Sequence, residues 1–469
     1  MKPSLAQEQY SYYKPFSYWL SRHTYYYSHV FSFYHSMIGD DNSVLHVSSK
    51  NGYLFEKLGS KHGVGIEEND LEREQAPLHE NRYHYYRSLQ ELPAQRFDYI
   101  VLSFSTMEAE DIQLLFQDLK AYCHEETRII QEYYMSWWAP ILWITQKLGW
   151  RRKTNFKNWL SRQDITNFAY LAGYEIVSSG GYILCPLYIP IVSWLLNDYI
   201  AHLSLINRLC LHQWMVLRTV PEKRAPELVS IIIPCRNEQG NVEPAVLRTP
   251  QLGKNMEIIF VEGNSTDGTR DEIKRVVELY ADKNIRWYIQ DGKGKGNAMR
   301  KGFDEARGDI IMILDGDLTM PPEELPKFYA AIVSGKGDFI NGSRLVYGME
   351  SGEMTFLAWL SNKFFARLIT WIINQPITDS LCGTKVFWRK DYQRIAQQRQ
   401  TLGLHDPFGD FDLLFGAAKL NLKIADIPIH YKRRTYGQTS INKYKELWFL
   451  LWMCWRAFTV IKRKNEAKN

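Results

Sequence analysis

Ile310-Ile311-Met312-Ile313-Leu314-Asp315-Gly316-Asp317-Leu318-Thr319-Met320-Pro321-Pro322 is a run of five apolar residues that ends on two aspartates and then on a proline pair. An unbroken, largely β-branched run of this length, bounded by turn residues, reads as a strand buried on both faces. The proline pair suits the first turn of a following helix. Two carboxylates one residue apart at a strand end can share a hard divalent cation through oxygen ligands. Such a cation can bridge a diphosphate and stabilise the charge that develops as it leaves.

The neighbouring sequence repeats the pattern. Val229–Ile233 and Met256–Glu262 read as buried strands, Ile285–Ile289 as a third, Ile310–Leu314 as a fourth and Phe339–Asn341 as a short fifth. Between them lie a helix capped by Asp267, with apolar Ile273, Val276, Val277 and Tyr280, and a second helix over Gly296–Ala306. Strands alternating with helices predict a largely parallel, doubly wound sheet, and in such sheets ligands bind beyond the carboxyl ends of the strands. The polar residues fall there. Strand one ends in Pro234-Cys235-Arg236-Asn237-Glu238, strand two in Glu262-Gly263-Asn264-Ser265-Thr266-Asp267, strand four in Asp315-Gly316-Asp317. Carboxylates gathered in this way repel one another and resist burial, so packing alone does not require them. The glycine-rich loop Asp291–Arg300 (DGKGKGNAMR) opens the second helix and adds Lys295 and Arg300, as a phosphate cradle would; a flexible basic loop is the plainer reading. It lacks the GxxxxGK[ST] spacing of a P-loop.

At this point VSIIIPCRNE, VEGNSTDGT, GKGNAMRKGF and ILDGDLTMPPEEL resemble the successive nucleotide-binding motifs of family-2 glycosyltransferases with the GT-A fold, from about Leu228 to about Lys443. The resemblance is closest to the branch that glycosylates polyprenyl (dolichol-type) phosphates. It matches an Arg after strand five (Arg344), a membrane-resting amphipathic helix (Phe356–Ile373) and an R-x-x-G-x-[ST] element (Arg434-Thr435-Tyr436-Gly437-Gln438-Thr439). What it implies is a nucleotide-sugar donor, Mg²⁺ or Mn²⁺, and a polyprenyl-phosphate or other lipid-linked acceptor. Pro234 and Glu238 would line the nucleotide site, with Glu262 near base or ribose and Lys295 and Arg300 beside the donor. Asp315 and Asp317 would handle metal and diphosphate, Asp317 as a catalytic group, while Arg344, Arg433 and Arg434 would meet phosphates. Asp410 falls where inverting members keep a catalytic base. A phosphate acceptor is already ionised and needs none, so Asp410 or Asp412 would then only position groups, or charge a helix N-terminus. Gly263 stands where the family carries a second carboxylate. The [QR]-x-x-R-W motif of processive synthases is absent, which argues against a polymerase.

The polar, proline-bearing segment Pro221–Glu227 divides the chain into an N-terminal domain (1–220) and the transferase-like domain (228–469). In the first, Ser43–Val47, Gly63–Ile66 and Tyr99–Leu102 read as strands, and the sequence turns aromatic and helical after Gln131. Val44–Leu54 resembles the first motif of class I S-adenosylmethionine-dependent methyltransferases, with Glu67 as the ribose carboxylate and Phe97-Asp98-Tyr99-Ile100 as the strand-four motif. Its glycine turn is damaged: His46 replaces an acid, and Ser48 and Lys50 replace glycines. The fold expected is therefore two Rossmann-like α/β domains, the first methyltransferase-like but degenerate, so that S-adenosylmethionine is not expected to bind. The alternatives are a bifunctional chain that also methylates and a catalytically silent binding protein.

A net charge of only +5 and no recognisable module exclude a dedicated nucleic-acid binder. The six scattered cysteines form no zinc-like set and fit a reducing compartment. No apolar run reaches the length of a membrane span, and Tyr444–Lys464, aromatic with basic ends, suits an interfacial helix or one packed on its own domain. The expectation is a cytoplasmic protein with peripheral contact on the cytoplasmic face of the membrane.

Overall fold

The structure is a computed structural model. It describes residues 14–462 apart from 50–51, 59, 61, 75, 77–81, 155, 348–355, 403–405, 407, 435 and 437–442. Lys50, Thr435, Gly437, Gln438, Thr439 and the end of Tyr444–Lys464 therefore lie outside the described residues, and with them much of the R-x-x-G-x-[ST] element. Among the described residues the chain divides into two compact units, one running to Val220 and the other spanning Pro221–Lys462. Both are mixed α/β with a parallel-rich sheet.

In the first unit seven strands, β1 (Ser43–Val47), β2 (His62–Ile66), β3 (Tyr83–Tyr86), β4 (Phe97–Ser103), β5 (Cys123–Tyr134), β6 (Tyr174–Tyr182) and β7 (His212–Thr219), form one sheet in the order β3-β2-β1-β4-β5-β7-β6. β7 is antiparallel to both neighbours, and the other pairings are parallel. β1 and β4 are apolar and buried, and are legible as strands. The helical reading after Gln131 needs correction, because β6 and β7 lie within it. β6 carries two serines and two glycines, and β7 buries polar His212 and Arg218, so neither shows the alternation of a half-buried strand. Arg218 is tolerated inside because its Nε donates to Glu175 Oε1 at 2.7 Å.

The second unit also has seven strands, β8 (Leu228–Cys235), β9 (Asn255–Glu262), β10 (Ile285–Ile289), β11 (Ile310–Ile313), β12 (Phe339–Ser343), β13 (Lys385–Trp388) and β14 (Ile424–Pro428), in the order β10-β9-β8-β11-β13-β12-β14. The first four are parallel. β13 is inserted between β11 and β12 antiparallel to each, and β12 pairs in parallel with β14. β13 and β14 are additions to the sequence reading. Each has four or five residues, too short to show a period. Asp267 does not occupy the N-cap of the helix Thr269–Leu279; Gly268 does, although Asp267 Oδ1 still accepts from Thr269 N at 3.0 Å.

β8, β9 and β11 bury apolar residues, many β-branched, on both faces, as parallel strands between helices require, while β10 forms the half-exposed edge. The helix Lys295–Glu305 lies directly on β8: a Cβ at Gly302 would stand 2.3 Å from Ile232 Cγ2. The glycine thus sets how closely the helix packs on the sheet. Among the described residues no helix is long and apolar enough to cross a membrane.

Candidate active site

The carboxyl ends of β8, β9 and β11 bring most of the anticipated residues of the second unit to one place. Cys235 and Glu262 are register partners, and past them Asn237, in left-handed conformation (φ 56°), turns the chain. Its Oδ1 accepts from Thr266 N at 2.8 Å and its own amide donates to Ser265 Oγ at 3.0 Å, locking the β8 and β9 loops together.

Asp315 follows β11 and is matched by a cation. Lys295 Nζ, at the start of the helix Lys295–Glu305, lies 2.6 Å from Asp315 Oδ1 and 3.8 Å from Asp410 Oδ2. Burial alone would lower the Lys295 ammonium, but Asp315 and Asp410 outweigh it and raise its pKa. Burial likewise disfavours the Asp315 carboxylate, and Lys295 reverses this and lowers its pKa. Gly383 closes the back of the pair, since a Cβ there would stand 2.1 Å from Asp315 Oδ2 and 2.6 Å from Lys295 Nζ.

Asp317 is oriented by Thr319, whose amide (3.1 Å) and hydroxyl (2.9 Å) donate to Oδ1. Its other oxygen accepts from Arg434 Nη2 at 2.6 Å, and Arg434 Nη1 reaches to 3.7 Å from Glu238 Oε1. Glu238 is buried and also accepts from Asn241 Nδ2 at 2.7 Å. Burial pushes its carboxyl up to about 7 despite Arg434. Glu262 is fully buried, and burial would raise it too. The Ser265 amide at 2.5 Å and Arg270, with Nη2 at 2.6 Å, more than compensate and hold it ionised.

Several of the anticipated residues make other contacts. Arg300 Nη1 donates to the Asp406 carbonyl at 3.1 Å and lies 3.7 Å from Asp412 Oδ2, so it braces the segment before the helix Phe411–Lys419. Arg344 is bound bidentately by buried Asp379, with Nε at 2.7 Å and Nη2 at 3.0 Å. Arg433 is exposed. Pro234 is half-buried, with its carbonyl 2.7 Å from where a Gly316 Cβ would be. Asp410 stands at the N-cap of Phe411–Lys419 without capping it. Asp406 does that work, accepting from Phe411 N at 2.7 Å and Asp412 N at 3.2 Å. Asp410 instead binds Lys385 Nζ at 3.2 Å. Burial, then Asp406, push Asp412 up to about 7, against Arg399 at 3.0 Å.

Sequence reasoning missed Lys385, Asp379, Asp406 and Gly383. A fully buried lysine on a strand needs a buried anion, and the lone lysine opening the apolar Lys385–Trp388 was the available signal. Asp379 and Asp406 lie in segments without periodicity, and nothing local marked them.

Among the described residues no three His, Cys, Asp or Glu side chains form a ready-made metal set. Asp315 and Asp317 nonetheless fit a hard cation. An ionised carboxylate offers about four lone-pair positions. Asp317 commits three to Thr319 and Arg434, and Asp315 commits Oδ1 to Lys295. Oxygen lone pairs remain on both, the donor type Mg²⁺ and Mn²⁺ prefer.

Beside β1 in the first unit, Tyr85 crowds two glycines. A Cβ at Gly52 (φ +68°) would stand 1.8 Å from the Tyr85 hydroxyl oxygen, and one at Gly65 2.6 Å from the same ring and 2.7 Å from Ser49 Oγ. His46 Nε2 is 3.0 Å from Ser103 Oγ, which is 2.8 Å from the Tyr34 hydroxyl. Tyr34, Tyr182 and His212 all bond the buried carboxylate of Glu132. A tyrosine ring thus lies over Gly52, the glycine that the damaged motif keeps.

Residues 230–411 match the family described as Glycosyl transferase family 2. That matched stretch lies within the second unit. Among curated proteins the chain is similar to a dolichol-phosphate mannosyltransferase of Pyrococcus furiosus, at 37% identity over 29% of this chain and 38% of the relative. It is also similar to an undecaprenyl-phosphate 4-deoxy-4-formamido-L-arabinose transferase of an Enterobacter species, at 26% identity over 46% of this chain and 62% of the relative. The chain therefore spans less than two thirds of either relative. Glucosyl-3-phosphoglycerate synthase of Mycobacterium tuberculosis superposes with a TM-score of 0.36 at 18% identity, over 48% of this chain and 80% of that one, a likeness too low to carry weight.

Proposed function

We propose that the second unit transfers a sugar from a nucleotide-sugar donor to a polyprenyl-phosphate or other lipid-linked acceptor. The observation that carries this reading is the convergence of Glu238, Asp315 and Asp317 with Lys295 and Arg434 at the strand ends, all but Arg434 within the residues 230–411 that match family-2 glycosyltransferases. The names of the two curated relatives support a polyprenyl-phosphate acceptor. So does the helix Lys443–Ala457, which exposes Trp448, Leu451, Trp452 and Trp455 as one stripe suited to a lipid interface.

Asp315 and Asp317 would hold Mg²⁺ or Mn²⁺, which when bound supplies Lewis-acid neutralisation of the donor diphosphate. The chain's own residues do the rest. Lys295 fixes Asp315, and Arg434 couples Asp317 to Glu238, so donor binding exchanges internal ion pairs for pairs with phosphate. Asp410, held between Lys385 and Lys295, positions Lys295 and does not act as a base, which an ionised phosphate acceptor does not need. Arg344, fixed by Asp379, and Arg433 serve the acceptor phosphate.

The first unit we read as methyltransferase-like in fold only. Its strand order with an antiparallel β7 supports the likeness, and Tyr85 over the glycine turn argues against cofactor binding; no observation favours a methylating second activity.

The test is turnover of a panel of nucleotide sugars with Mn²⁺ or Mg²⁺ and polyprenyl phosphate or a membrane lipid extract. One donor should be consumed by the wild type, and Asp317→Ala should lose about 100-fold or more of that rate. A well-folded wild type that neither binds nor turns over any donor would sink the reading.

A further inference from the structure

The first unit carries a surface that sugar transfer leaves unused. β5 and β6 are each antiparallel to β7 and so run the same way. Residues 135–160, which follow β5, and 183–211, which join β6 to β7, therefore leave the same edge of the sheet. They are tied together there. Met135 N donates to the Leu211 carbonyl at 3.0 Å, and Trp138 Nε1 to the Leu209 carbonyl at 2.9 Å.

The helix Ala139–Lys147 buries only Leu142. Trp137, Ile141, Ile144 and Leu148 recur every three or four residues, forming one stripe, and each is at least half exposed, Trp137 by 76%. From the other segment Tyr188, Ile191 and Leu205 stand out by 69%, 78% and 82%. Scattered apolar residues on a surface are ordinary, but exposed apolar sets on two segments tied together at one sheet edge point to an interaction surface.

The charge identifies what it meets. Residues 136–160 hold no Asp or Glu and five basic residues, of which Arg152 pairs with Glu72 and Lys157 with Glu110, and 183–211 hold one acid, Asp198. Lys147, Lys153 and Arg208 are exposed, and Lys147 Nζ lies 3.7 Å over the Trp143 ring. A protein interface commonly surrounds its apolar centre with a polar rim. Tryptophan and aliphatic tips with cations of a single sign instead match segments that lie in the headgroup region of anionic membranes.

We propose that this edge of the first unit docks on the surface of an anionic phospholipid bilayer. The proposal stands whether or not the sugar-transfer reading does, and its readout is not turnover. The full-length protein is co-sedimented with phosphatidylcholine vesicles, with and without phosphatidylglycerol, at low and high salt. The expected result is binding to the anionic vesicles, weakened by salt, and lowered about tenfold or more by Ile141→Glu/Ile144→Glu/Ile191→Glu with melting temperature unchanged. Should that variant fail to fold, Lys147→Glu/Lys153→Glu/Arg208→Glu replaces it, with the same loss expected. The proposal is overturned if wild type ignores anionic vesicles, or if binding survives both variants and is lost only in Trp448→Glu/Trp452→Glu. It is equally overturned if the lipid-free protein self-associates through this edge, the first variant dissolving that assembly while leaving vesicle binding intact.

Discussion

Gly383 shows how much one missing methyl can carry. Because its Cβ would lie within 2.7 Å of both Asp315 and Lys295, Gly383→Ala must part that ion pair while leaving β13 in place. We expect turnover to fall about 100-fold with little change in melting temperature, and steady-state kinetics beside a thermal melt check this. Glu238 makes a pH-dependent contribution of predictable sign. Its folded carboxyl titrates at about 7, well above the ordinary value near 4.3. Between those values the folded chain keeps a proton that the unfolded chain releases, so stability is greatest at the acid end and declines as pH rises through 7. Asp412, also raised to about 7, acts in the same direction. Melting temperature should therefore drop less between pH 5 and pH 8, values on the order of the bounds of that window, in Glu238→Gln than in wild type. An equal drop in both proteins would show that Glu238 keeps its ordinary titration.

At the scale of elements, β13 matters most. It delivers a fully buried lysine to Asp410 and, through Gly383, backs Asp315. Removing one partner of a buried pair strands the other charge, so Lys385→Met should destabilise the second unit by about 3–5 kcal/mol; Lys385→Met/Asp410→Leu should recover part of the loss in denaturant titrations. β8, β9 and β11 were legible because parallel strands covered on both faces carry apolar runs, and their polar ends pointed to Glu238, Glu262, Asp315 and Asp317; β10, at the edge, was legible by its β-branched and aromatic residues. The return half of the sheet was not. Its strands are short, β13 opens on a charge, Asp379 acts through an amide and a guanidinium that only tertiary folding brings near, and Asp406 accepts from the first turn of the helix that follows it, outside any periodic pattern. Arg300 illustrates the same limit. Its helix placed it near the glycine loop, but the direction of its side chain depends on a segment more than 100 residues away.

Across the whole molecule the two units share a sheet-and-helix plan and differ in what fills the strand ends. In the second they hold opposed charges with lone pairs to spare; in the first they hold Tyr85 and a closed Tyr, His and Glu network around Glu132. Full-length protein titrated calorimetrically with S-adenosylmethionine should accordingly give no binding heat, and a saturable signal would restore the methylating alternative. The order of the second sheet bears on how the chain comes into being. β10, β9, β8 and β11 arise from one contiguous stretch, Leu228–Ile313, whereas β13 must leap to Lys385 and β12 waits for β14 at Ile424–Pro428. During synthesis, when domains form from the N-terminal side first, these four strands can assemble with the open edge of β11 exposed until the segment through Trp388 has been made. That interval is when the chain is most open to mispairing or to capture by a chaperone.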